Sequence, residues 1–140
     1  MTGAMIAALL FTVALLVTTA YFIMGSIPLL VLKHDTPLDA RFVRGFFNVY
    51  YVTAVVTASA TSISYALAGR PAMATGAAAL ALLAAALRRK VIPKMDALGA
   101  QIKSNYMQAI PGFRRTHIVA IAINVVQLVA IVCSLTALRL

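Results

Sequence analysis

The stretch FRRTHIVAIAINVVQL, residues 113–128, sets three polar side chains into an otherwise apolar run: His117, Asn124 and Gln127. On a helix each residue turns about 100°, so Asn124 falls ~20° from His117 and Gln127 within ~80° of it. The three share one face. An earlier run repeats the theme: Arg44, Asn48 and Tyr51 lie within ~60° of one another, with Arg41 close by. The two stripes are expected to lie at one depth, point inward and face each other, where amides and imidazoles can bond across helices. An imidazole can also carry a proton or ligate haem iron axially, with arginines meeting the haem propionates. His34 is the chain's second histidine, and it falls in the same region as His117. His117 and His34 are therefore the candidate cofactor-binding residues, and haem the candidate cofactor.

Other chemistry is poorly supplied. The three acidic residues are Asp35, Asp39 and Asp96, all in loops or near helix ends, and there is no Glu. No carboxylate dyad, no nucleophile beside a base and no metal-ligand cluster can be read, so the expectation leans away from an enzyme. The single cysteine, Cys133, can form neither a disulfide nor a CxxC site within one chain, and reads as a small apolar filler deep in its helix.

The elements that position these residues follow from composition. The chain is 63% hydrophobic and only 11% charged, with a mean hydropathy of +0.98. Soluble domains run near half apolar and a quarter charged, so here the bilayer must act as solvent. The fold class is all-α: a four-helix transmembrane bundle forming a single domain, residues 1–140. The helices are expected over about 3–32, 37–68, 71–108 with a break near Pro93, and 113–138. The first segment has no basic residue before Lys33, and its apolar run exceeds that of a signal peptide, so it is expected to be a retained span.

Local signals set the boundaries. Thr36 suits an N-cap, Pro37 the first helical position and Asp39 the third, where a carboxylate meets the positive helix end. Gly69 suits a C-terminal cap and Pro71 a restart, which makes the second and third helices antiparallel neighbours. The small-residue run TASATSIS, residues 57–64, can face Ala77, Ala81 and Ala85, letting the two backbones approach closely. Beyond Arg88, the residues Ile92, Met95, Leu98, Ile102, Tyr106 and Ile110 mark one apolar helical face. They predict a cytoplasmic helical extension, or a helix lying on the lipid surface, with Gly99 and Pro111-Gly112 as weak points.

Of the 12 basic residues, ten lie in the first and third loops or the helix ends beside them, and only Arg70 and Arg139 on the other side. The positive-inside rule then makes those loops cytoplasmic and both termini extracytoplasmic, as in a bacterial cytoplasmic membrane. The same bias accounts for the net charge of +9 without nucleic acid.

Three segments carry a family resemblance. FRRTHIVAIAINVVQL resembles the F-R-x-x-H…N-x-x-Q-L stretch in the last helix of a small bacterial four-helix integral membrane family, akin to animal transmembrane-protein-205-like proteins. GSIPLLVLKHDTPLDARFVRGFFNVYY is similar to that family's first loop and second helix, and VIPKMDAL to its third loop. The resemblance implies the four-helix fold and no activity. Three function classes stay open. The first is an accessory, assembly or stabilising subunit, partnered by other membrane proteins or by itself. The second is a haem-binding or redox protein using His117. The third is an oligomeric small-solute transporter or channel.

Overall fold

The computed structural model describes residues 1–138, and its helices are α1 (Gly3–Leu29), α2 (Pro37–Leu67), α3 (Pro71–Lys103) and α4 (Ala109–Thr136). All four are long and apolar enough to cross a membrane. Arg139 lies outside the described residues.

The interior is a seam of alternating three- and four-residue steps. In α1 it reads Met5, Ala8, Thr12, Leu15, Thr19, Phe22, Ser26. In α2 it begins Ala40, Val43, Phe47, Tyr50, Ala54. That spacing keeps one face toward a partner helix and favours side-by-side packing near 20°. Sequential helices are neighbours and α4 closes the ring onto α1, with α2 and α3 the most closely packed pair. Ser62 Oγ donates to the Ala74 carbonyl at 2.8 Å near one end of that pair. Arg44 meets Asp96 near the other. Gly69 makes the connecting turn at φ 69°, and the Arg70 amide reaches back to the Tyr65 carbonyl at 2.9 Å. This is the left-handed termination that glycine permits most easily.

The helix ends differ from the expected ones for local reasons. α1 stops at Leu29 rather than residue 32, because the amides of Leu30, Val31 and Leu32 bond the carbonyls three residues back. α3 runs unbroken through Pro93, which omits only one ladder hydrogen bond. It ends at Lys103 rather than 108: Asn105 adopts φ 63° and the Tyr106 amide returns to Gln101, as at Gly69. Tyr106 thereby leaves the expected apolar face and is exposed. α4 starts at Ala109, four residues early, and absorbs Pro111 in its first turn, where a missing amide costs no intrahelical bond. Cys133 faces outward rather than filling the interior.

A buried histidine pair as candidate functional site

α1 leaves four carbonyls at its C-terminal end without partners in the helix. Those of Ile27, Pro28 and Leu29 are met by the amides of Leu30, Val31 and Leu32. The Ser26 carbonyl remains, facing the bundle interior where water cannot reach it. His117, from the adjacent α4, meets it through Nε2 at 3.1 Å. A helix C-terminus carries partial negative charge, so an N–H is the right group to set there.

The second nitrogen of His117, Nδ1, lies 3.1 Å from Nε2 of His34. The carbonyl can only accept, so His117 Nε2 carries its proton. In a neutral ring Nδ1 is then an acceptor, and His34 Nε2 must donate to it. The proton positions thus run one way, from His34 through His117 to Ser26. At the far end His34 Nδ1 is buried and has no hydrogen-bond partner among the described residues. Both imidazoles have 0% exposure. Phe47 stands edge-on to His117 at 5.1 Å, and Phe113 lies 5.6 Å from His34.

His34 sits in the connection between α1 and α2, at φ 57°. That left-handed conformation is uncommon outside glycine, although His tolerates it better than branched residues do. The turn is held in place by the imidazole bond and by Arg114, whose Nη1 donates to the Leu32 carbonyl at 3.4 Å. Burial pushes the His34 imidazole below its ordinary value of 6.5. The Arg114 charge adds to that effect, while Asp39 and Asp35 oppose it.

Asn124 and Gln127 are also buried, and both reach Tyr50 from the diagonal helix α2. Tyr50 Oη lies 3.0 Å from Asn124 Oδ1 and 3.3 Å from Gln127 Oε1. One phenolic proton can serve only one of those oxygens. Turning one amide over lets its nitrogen donate to Tyr50 Oη instead, and supplies a partner that Asn124 Nδ2 or Gln127 Nε2 otherwise lacks. Tyr50 lies in an aromatic stack on Phe22, with ring centroids 4.0 Å apart.

The helix-two stripe therefore divides. Arg44 and Asn48 do not meet the His117 face. Arg44 pairs with Asp96 at 2.8 Å, and Asn48 Oδ1 accepts from Arg88 Nε at 3.0 Å. Both partners belong to α3. The ~60° arc allowed this arrangement as readily as the other, because α2 has neighbours on two sides. Tyr51 is fully buried, and its hydroxyl has no hydrogen-bond partner among the described residues. Ser26 and Tyr50 were missed. Thr12, Thr19 and Ser26 recur every seven residues and mark the inward face of α1, but His117 meets the backbone carbonyl of Ser26, which no side-chain pattern marks.

His34 and His117 are thus together, but as arranged they do not fit haem iron between their rings. A metal bound by two imidazoles stands ~2 Å from each nitrogen, which needs ~4 Å between them. The observed 3.1 Å is a direct hydrogen bond. Among the described residues, no group of three His, Cys, Asp or Glu side chains could hold a metal ion. Comparison with known proteins finds no matching family model, curated relative or solved structure.

Proposed function

We propose that this chain is a small integral membrane protein that works by association, as an accessory, assembly or stabilising subunit beside a larger membrane protein. The observation that carries the reading is the uneven cover of α3. Only 17% of its most apolar stretch is buried by the rest of the bundle, against 28% to 33% in the other three helices. Its less covered side presents Ala72, Gly76, Ala79 and Ala86, all exposed, with Ala72 and Gly76 lining a groove of about 180 Å³ that residues of all four helices border. A Cβ added at Gly76 would meet nothing within 4 Å, so packing inside the bundle does not require glycine there. Small residues on an open helix face let a second transmembrane helix approach closely. The interior supports the same reading: its polar groups bind one another and fasten α1, α2 and α4 together.

The basic asymmetry supports an orientation in a bacterial cytoplasmic membrane with the α1–α2 and α3–α4 connections cytoplasmic and both termini outside. The resemblance to the transmembrane-protein-205-like family fits this architecture.

The test is capture of membrane partners from native membranes by the tagged chain and by Gly76→Leu. A Cβ at residue 76 meets nothing within 4 Å, so the variant should stay folded, as unchanged helical circular dichroism would establish, and should lose the captured polypeptides. Equal capture by both forms would overturn the reading. An absorbance spectrum of the same preparation tests for haem. A second reading, proton-coupled transport, is favoured by one observation: the two-imidazole chain ends in a free buried nitrogen. Proton flux into proteoliposomes that His117→Leu abolishes would favour it over association.

A further inference from the structure

At the basic end of the bundle, α2 and α3 enclose a cleft of about 530 Å³. Arg41, Arg44 and Lys103 line it, with Asp96 the only acidic side chain among the lining residues. Asp96 is committed to Arg44 through two contacts, at 2.8 and 3.3 Å. Among the described residues, Arg41 and Lys103 make no ion pair and no side-chain hydrogen bond. The cleft thus holds two uncompensated cations beside a neutral pair. Its walls are otherwise apolar: Leu38 is 74% exposed, and Ala100 is exposed beside Gly99. The floor is closely packed, since a Cβ added at Gly99 would lie 3.6 Å from that of Ala40.

The cleft stands in water, not in lipid. The apolar run of α3 stops at Leu87, and Arg88 opens the charged stretch. Arg88 Nε donates to Asn48 Oδ1, which sets the hydrocarbon edge at the same level on α2. At about 1.5 Å per residue, Arg41 lies about 10 Å beyond that edge along α2 and Lys103 about 22 Å beyond it along α3. The headgroup layer is only about 5–8 Å deep on each side. The α2–α3 hairpin projects past it, so whatever fills the cleft arrives from the aqueous phase.

Register decides what fits. Arg44 faces Asp96 and Ala40 comes up against Gly99, so Arg41 and Lys103 stand on opposite walls about one helical turn apart along the cleft. Carboxylates at i and i+4 of an incoming helix have the same spacing. We infer that the cleft docks an acidic amphipathic helix from the water-exposed part of a protein partner, its carboxylates on Arg41 and Lys103 and its apolar side chains on Leu38 and Ala100. This deepens the association reading, on which it rests for the existence of a partner. A polynucleotide fits poorly. No aromatic ring lines the cleft for a base to stack on, and the Asp96 carboxylate, 54% exposed, would face its phosphates.

Fluorescence anisotropy on the full chain in neutral-detergent micelles, referenced to empty micelles, tests the site. The probe is a short labelled amphipathic peptide with Glu at i and i+4 and Ala and Leu on the same face. It is expected to bind more tightly than the same peptide with Gln in place of Glu. An exposed ion pair is worth up to roughly fivefold in affinity, so Arg41→Gln/Lys103→Gln should weaken binding roughly 5- to 25-fold. Arg89→Gln/Lys90→Gln removes the same charge outside the cleft. Charges more than a Debye length away, about 8 Å at physiological salt, are largely screened, so this variant should stay within about twofold of the parent. Unchanged helical circular dichroism establishes that both double variants are folded. Equal losses in the two variants would show diffuse attraction and overturn the site, as would a Gln peptide that binds as well as the Glu peptide. A single-stranded oligonucleotide or inorganic phosphate that displaces the peptide at equal concentration would overturn the assignment to a protein segment. The two readings fail separately. If the parent captures no membrane partner yet binds the peptide through Arg41 and Lys103, the association reading falls and the charge-specific site stands. If capture succeeds but the Glu peptide is not preferred, the site falls and the association reading stands.

Discussion

The His34–His117 bond makes a strong demand on measurement. Consider His117→Leu. It removes two hydrogen bonds and leaves the Ser26 carbonyl and the His34 N–H unpaired where neither ring has any exposure. Interhelical hydrogen bonds in membranes average about 0.6 kcal/mol and reach about 1.7. Two of them bracket the loss at roughly 1.2 to 3.4 kcal/mol. The upper half of that range is expected, because an orphaned buried polar group costs about 1–3 kcal/mol by itself. His117→Gln is the sharper probe. A glutamine amide can donate to the carbonyl through nitrogen and accept from His34 through oxygen, filling both roles. It should recover most of the loss, whereas a role in proton transfer would not survive it.

The bond itself is isolated by a cycle with His34→Asn, since asparagine tolerates the left-handed backbone at residue 34 but is too short to reach His117. Unfolding of all four forms by sodium dodecyl sulfate in mixed micelles, followed by circular dichroism, gives the coupling. A value near 0.6–1.7 kcal/mol is expected. Additivity within about 0.3 kcal/mol would mean that the two rings do not bond, and the chain of donors from His34 to Ser26 would fall with it.

Acidity acts through the same pair. The buried His34 takes up a proton less readily than an exposed imidazole, so the unfolded chain binds more protons once pH falls below 6.5. Stability should hold above that value and decline below it, and His34→Asn should flatten the decline in Tm measured between pH 7.5 and 5. Tyr50→Phe should cost about 0.5–2 kcal/mol in the same micelle titration by cutting the link from α2 to Asn124 and Gln127. Gly25→Ala would place a Cβ 2.6 Å from the tip of the Phe46 ring. It should destabilise by about 1–2 kcal/mol, and by less in a Phe46→Ala background, where the ring is gone. Reporter fusions at Leu140 should read as extracytoplasmic, and a cytoplasmic signal there would reverse the proposed orientation.

Helix count, caps and helix adjacency were legible because each rests on short-range chemistry. Thr36 caps α2 as its type and position imply, accepting from the Asp39 amide at 3.2 Å. Gly69 takes the positive φ that its place before Pro71 suggested. The inward face of α4 was legible too, since His117, Asn124 and Gln127 would each be costly against lipid. Partner choice was harder to read. A helix in a bundle has two neighbours, and the phase of Arg44 and Asn48 does not say which of them these side chains meet. The deciding fact was a charge: Asp96 on α3 lies within reach of Arg44, and a guanidinium on the bundle surface bonds a carboxylate before an imidazole. The place of His117 was set by something the side-chain pattern does not encode, the leftover backbone carbonyl of Ser26 at a helix end. Every buried helix terminus raises that need, and counting its unfilled acceptors identifies which polar side chain on the facing helix is fixed by the backbone. At α1 the count leaves one acceptor open, and one imidazole on α4 stands at hydrogen-bond distance to fill it.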